Sequence, residues 1–259
     1  MSIQSLPAYD LPFLYKFGMV ASNDATTPNT KLDISLGQVR DSTNSIDIVF
    51  AATLAPFILN GAINGVNGLD TGTLGANKVY GIGAIGDSTN NNQPAFILSL
   101  ATNAVPTMPF GYDSYRLVGY SVTDSMSHFL PFYASGLGQG GSRIFTYDAP
   151  QATAVTSGNA TSYTAVDLST LVPVPYNNVL VVPVIIKSVF TPNAANDTLS
   201  MQPSIGTGDA IVVNGQVASV PIITYSTVMA SISSSVMSIK YKLSTSSAHV
   251  ALSVAGFIF

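Results

Sequence analysis

A chain of 259 residues, 47% of them apolar, can bury one large core or two ordinary ones, which excludes a disordered tail. Only 8% of the residues are charged, and nine Lys and Arg with a net charge of -4 leave no basic stripe to neutralise phosphates, which excludes nucleic acid as a partner. The absence of cysteine excludes a disulfide frame and thiolate chemistry.

All thirteen acidic residues are Asp, and the chain has no Glu. Helices usually clothe their solvent side in Glu, Lys and Arg, whereas Ser, Thr, Asn and Gly favour turns and strand edges, so the composition argues against a mostly helical fold. A surface so poor in charge solubilises badly alone and points to an oligomer or assembly subunit. The longest apolar run, residues 179–186, contains Pro183 and is far short of the roughly 20 residues of a membrane span. The first residues lack a basic stretch followed by an apolar one, so synthesis in a cytoplasm without general export is expected.

In chain order, residues 1–22 carry Pro7 and Pro12 and the large groups Phe13, Leu14, Tyr15 and Phe17. They read as an extended N-terminal arm, docked either on its own core or on a neighbouring subunit. A turn-rich loop at 23–30 leads to an alternating strand at 31–37, and a second short strand lies at 45–50. Residues 60–88 hold Asn-Gly turns at Asn60, Asn64 and Asn67, then a glycine-spaced strand. Further strands are predicted at 95–100, 114–122, 128–134 and 143–147, each bounded by Gly, Pro, Asn or Asp.

A composition shift at 149–160 reads as a linker. Beyond it, the continuous hydrophobicity of 179–189 predicts a strand buried on both faces. Two alternating strands, 237–243 and 250–258, read as a hairpin-like pair. The spacing is that of an all-β fold of antiparallel β-sandwich or jelly-roll-like domains: an N-terminal β domain at 23–148 and a C-terminal β-sandwich domain at 161–259.

Two matches to the dinucleotide-loop spacing G-x-G-x-x-G occur, at residues 81–86 and 136–141. That chemistry needs a strand before the loop and a helix after it, because the pyrophosphate rests on the helix N-terminus. A polar loop follows the first match and a strand the second, so both read as close-packed strand glycines. The two histidines, His128 and His249, fall in strand patterns with no G-x-S-x-G elbow to supply a nucleophile. Loops 87–92 and 193–197 offer oxygen ligands but lack EF-hand spacing and read as ordinary turns. A glycosidase would need two carboxylates across a sugar with an apolar wall, and the chain has no Trp. No catalytic, cofactor-binding or metal residue is therefore expected. Tyr112, Tyr115, Arg116 and Tyr120 are the candidates for a glycan or receptor surface, set against the plainer reading of strand residues facing opposite sides.

Several segments carry a resemblance. Ser22-Asn23-Asp24-Ala25-Thr26-Thr27-Pro28-Asn29-Thr30-Lys31-Leu32-Asp33-Ile34, Gln38-Val39-Arg40-Asp41-Ser42, Asn64-Gly65-Val66-Asn67-Gly68-Leu69-Asp70-Thr71-Gly72-Thr73-Leu74, Gly111-Tyr112-Asp113-Ser114-Tyr115-Arg116 and the run from Ala165 to the C-terminal Ser253-Val254-Ala255-Gly256-Phe257-Ile258-Phe259 resemble structural proteins encoded in tailed-phage and prophage virion gene clusters. The resemblance implies a non-enzymatic virion component of fibre, tail-tip or capsid-decoration type, most often trimeric, that packs on other virion proteins. A receptor- or glycan-binding tail fibre or tip protein is the alternative. It carries no functional residue across, and Val79-Tyr80 stands where a Trp-Tyr pair often follows the Gly-Leu-Asp-Thr-Gly segment in that group.

Overall fold

The computed structural model describes residues 15–50, 57–89, 91–102, 105–136, 142–174, 181–205, 211–233 and 236–259. They form nineteen strands and no helix. The first nine are β1 (Lys16–Gly18), β2 (Ala21–Asn23), β3 (Lys31–Ile34), β4 (Gly37–Arg40), β5 (Asp47–Phe50), β6 (Phe57–Asn60), β7 (Gly68–Leu69), β8 (Val79–Gly86) and β9 (Ala95–Leu100). Then come β10 (Ser114–Val122), β11 (Phe132–Gly136), β12 (Arg143–Ala152), β13 (Thr164–Asp167), β14 (Val181–Thr191) and β15 (Thr198–Pro203). The last four are β16 (Ile211–Asn214), β17 (Ile222–Ser233), β18 (Val236–Leu243) and β19 (His249–Ile258).

Three sheets result: β1-β4-β5, β10-β8-β9-β7, and a twelve-stranded sheet ordered β16-β15-β18-β17-β14-β19-β12-β11-β2-β3-β6 with β13 on β18. Every named ladder is antiparallel except β7 on β9, so the all-β, antiparallel, sandwich-like expectation holds. The sheets meet in one apolar core. Phe50 of β5 stacks on Phe96 of β9 at 4.1 Å, and Phe57 of β6 meets Phe50 edge-on at 4.7 Å, so one ring from each sheet closes the joint.

Alternation explains the local structure well. In β3, Leu32 and Ile34 are fully buried while Lys31 and Asp33 face outward. β8 is buried along its whole length, and its glycines are the reason that it can be. The Tyr115 ring of β10 lies over Gly83, where a Cβ would overlap the ring's Cε2. The first dinucleotide-like spacing is therefore a packing device between paired strands; of the second, only Gly136 lies within the described residues.

Four expectations need correction. The strand at 31–37 is two strands in different sheets, because the chain turns at Ser35 and Leu36, where Met19 N donates to Leu36 O. The strand expected at 128–134 begins only at Phe132, after a turn capped by Asp124. The stretch at 149–160 opens within β12, whose Gln151 and Ala152 pair with Val254 and Ser253, and its backbone continues to bond Leu252 and Val250 through Thr153, Val155 and Gly158. It is laid along β19 and is not a free connection, and the large sheet runs unbroken past it.

The final two strands are not a hairpin. β17 and β14 separate β18 from β19. β18 pairs with β17 only from Ser231↔Ser238 to Ser233↔Val236, then proceeds between β15 and β13. It thereby leaves the β17-β14-β19 layer and brings Met237, Ile239 and Leu243 to the same core as Val184, Ile186, Val250 and Leu252.

Phe13 and Leu14 lie outside the described residues. The rest of the expected arm, from Tyr15 to Ser22, is docked on its own chain: β1 pairs with β4, and β2 with β3 and β11. Tyr15 is buried and its hydroxyl accepts from Gln38 Nε2 at 3.2 Å, while Phe17 is exposed.

Candidate functional site

The four residues singled out for a glycan surface do not share one. Tyr112 and Tyr115 pack on a small cluster of Ile85, Ala95 and Ile97, and the Tyr112 hydroxyl donates to Gln93 O at 2.8 Å. Arg116 and Tyr120 are buried, Tyr120 meeting Phe259 edge-on at 4.9 Å. Strand geometry accounts for the split, since neighbouring residues of β10 point to opposite faces and both faces of this sheet are covered.

A cluster of cations gathers beside Arg116. Arg143 sends Nη1 to Met19 O at 2.7 Å and Val118 O at 2.8 Å, and Nη2 to Gly18 O. It ties the β1–β2 turn to β10. Burial, with the nearby charges of Arg143 and Arg116, pulls the Lys16 ammonium down to about 8. These contacts position backbone and read as structural.

The two oxygen-rich loops spend their carboxylates on themselves. Asp87 accepts from Thr89 N at 2.8 Å, Asn91 N at 3.0 Å and Asn92 N at 2.9 Å; the bond from the Thr89 hydroxyl, followed by those from the Thr89 and Asn92 amides, holds its pKa at about 2. Asp197 takes the amides of Asn193 and Ala194 at 2.8 Å each. Among the described residues no group of three His, Asp or Glu side chains is placed to hold a metal ion.

A shallow depression of about 260 Å³ is lined by Thr30, Gly61, Leu74, Ser127 and His128, among others. His128 Nδ1 lies 3.8 Å from Asp124 Oδ2, while Asp124 Oδ1 accepts from the amides of Met126 and His128 at 2.8 Å each. The pair closes a turn. His249 stands exposed at the start of β19.

The feature left without a structural account is the outer face of β14 and β17. Paired residues share a face, and the register sets Pro183 beside Met229, Ile185 beside Thr227, Lys187 beside Tyr225 and Val189 beside Ile223. Inward residues of β17 such as Val228 and Ala230 are buried, but Ile223 and Tyr225 are each 60% exposed and Met229 42%. β19 extends the face through Ala251 and Ser253, opposite Val189 and Lys187. In the sequence, 179–189 promises burial on both faces, yet only the inward face of β14 is fully buried. The signal that reveals β17 is apolar residues at both parities of an uncharged strand, Ile222, Ile223, Val228 and Met229.

No protein-family model, curated protein or solved structure matches this chain.

Proposed function

We propose that this chain is a non-enzymatic structural subunit of a tailed-phage virion that assembles as a homo-oligomer and packs on other virion proteins. The outer face of β14, β17 and β19, on which Ile223, Tyr225 and Met229 of β17 stand exposed among the described residues, carries the reading. Large exposed side chains in contiguous register are costly to leave in water, at roughly 25 cal/mol per Å² of apolar surface, and such patches mark interaction sites. Among the described residues, the register sets Lys187 and His249 on the face as its basic groups, with the neutral hydroxyl of Tyr225 beside Lys187, so burying it against another β surface requires little desolvation of charge. The ionisable side chains elsewhere support the reading, because those described above close turns or tie strands together. The phage assignment rests on the resemblance of the segments quoted above.

Residues 15–22 pair within the chain, and the assembly contact proposed is the outer face of β14, β17 and β19. Sedimentation velocity on the purified protein tests the subunit reading and should show a discrete oligomer; a monomer at every concentration would refute it. Immunogold labelling of intact particles tests the virion assignment, and its absence from particles would remove that part.

A further inference from the structure

We propose that β17 pairs edge to edge with β17 of a second copy of this chain, antiparallel about a two-fold axis perpendicular to the sheet. The proposal rests on the assembly reading and names its contact.

On one side β17 is laddered to β14 without a bulge from Ile222 to Ser231. On the other, among the described residues, only Ser231, Ile232 and Ser233 find a strand partner, in β18. β15 approaches the Ser231 end, where Ile205 N donates to Ser231 Oγ at 2.9 Å, so among the described residues it is the stretch of the edge towards Ile222 that offers backbone N–H and C=O groups in regular extended geometry to a further strand. Natural edges are usually guarded by Lys, Pro, a bulge or an inward charge. The sequence of β17, IITYSTVMASIS, contains none of these.

The chemistry selects a second copy as the occupant. An uncharged edge has nothing with which to recognise an oppositely charged peptide, and a two-fold operation presents the same edge to itself with matching twist and polarity. Each chain carries a net charge of -4, yet no like charges meet on these strands. The nearest charge on the face, Lys187, sits one strand in on β14, so the two copies of it stand at least three strand spacings, about 14 Å, apart and are screened at physiological salt. The perpendicular axis keeps Ile223, Tyr225 and Met229 of both copies on one side, which doubles the apolar face presented to a neighbouring virion protein.

The test uses exposed outward positions, where folding is not at stake. Tyr225→Lys with Thr227→Lys sets cation against cation across the two-fold and should raise the dissociation constant at least ~tenfold. Tyr225→Asp with Thr227→Asp should do the same, and mixing the two variants should restore association, read by sedimentation velocity. The wild-type protein should form an even-numbered species. An odd-numbered oligomer, or an oligomer indifferent to both charge pairs, overturns the β17 pairing and leaves the subunit reading standing. A wild-type monomer overturns both.

Discussion

Tyr115 lies with its ring directly over Gly83 of the paired strand, and the space a Cβ would need at 83 is filled by the ring. Glycine is required there by contact, since any side chain must displace an aromatic group held between two strands.

Gly83→Val should therefore destabilise the protein by about 1–3 kcal/mol through overpacking, measured by urea unfolding. Combining it with Tyr115→Ala should recover part of the loss. Additive costs in the double variant would show that the ring is not the obstacle.

Arg143 satisfies the carbonyls of Gly18, Met19 and Val118 from one guanidinium. Arg143→Met keeps the bulk and removes the donors, and should cost on the order of 3 kcal/mol because buried acceptors lose their partners. Arg143→Lys should recover little, since an ammonium lacks the planar fork that reaches several carbonyls. Denaturant midpoints of the two variants, compared with wild type, check both statements.

Lys16 predicts an alkaline signature. Its pKa falls from 10.5 in the unfolded chain to about 8 in the fold, so in that window the unfolded chain holds a proton that the folded chain has released. Unfolding free energy should rise as pH increases from about 8, with the full penalty present below that pH. Burial raises the hydroxyl pKa values of Tyr147 and Tyr80, which reverses the trend above about 10, so the rise is best read between those limits. Lys16→Met should flatten the rise and leave the protein more stable at neutral pH. An unchanged slope in thermal melts across this range would refute the assignment.

At the acid end, Asp87 contributes stability that is present above the ordinary carboxylate pKa of 3.8 and lost as pH falls towards about 2. Asp87→Ala should lower the melting temperature at neutral pH and make the acid limb shallower over that interval. An acid limb identical to wild type would show that other carboxylates, such as Asp41 with its bonds to Thr43, Ser45 and Ile46, carry the transition.

Much of the strand content was legible because the side-chain period of a strand is written directly in the residues. The strands at 95–100 and 114–122 begin and end where alternation and turn residues put them. Adjacency was not legible. Met237 to Leu243 and Val250 to Ile258 alternate alike, and nothing local records that β17 and β14 come between them. The aromatic surface at 112–120 failed for a related reason: the period shows that Tyr115 and Arg116 face opposite ways, but not that both sides are covered. The outer face of β17 was not legible either: apolar residues at both parities mark the strand, but which face is covered depends on its neighbours.

The ladder between β12 and β19 joins Ile144 to Ile258 and Phe145 to Phe257, and Phe145 stacks on Phe257 at 4.6 Å. A ribosome delivers these partners far apart in time. Until β19 emerges, β12 has one edge of its ladder open and Phe145, stacked on Phe132, lacks cover on the side of Phe257, so completion of the large sheet waits on the last strand made.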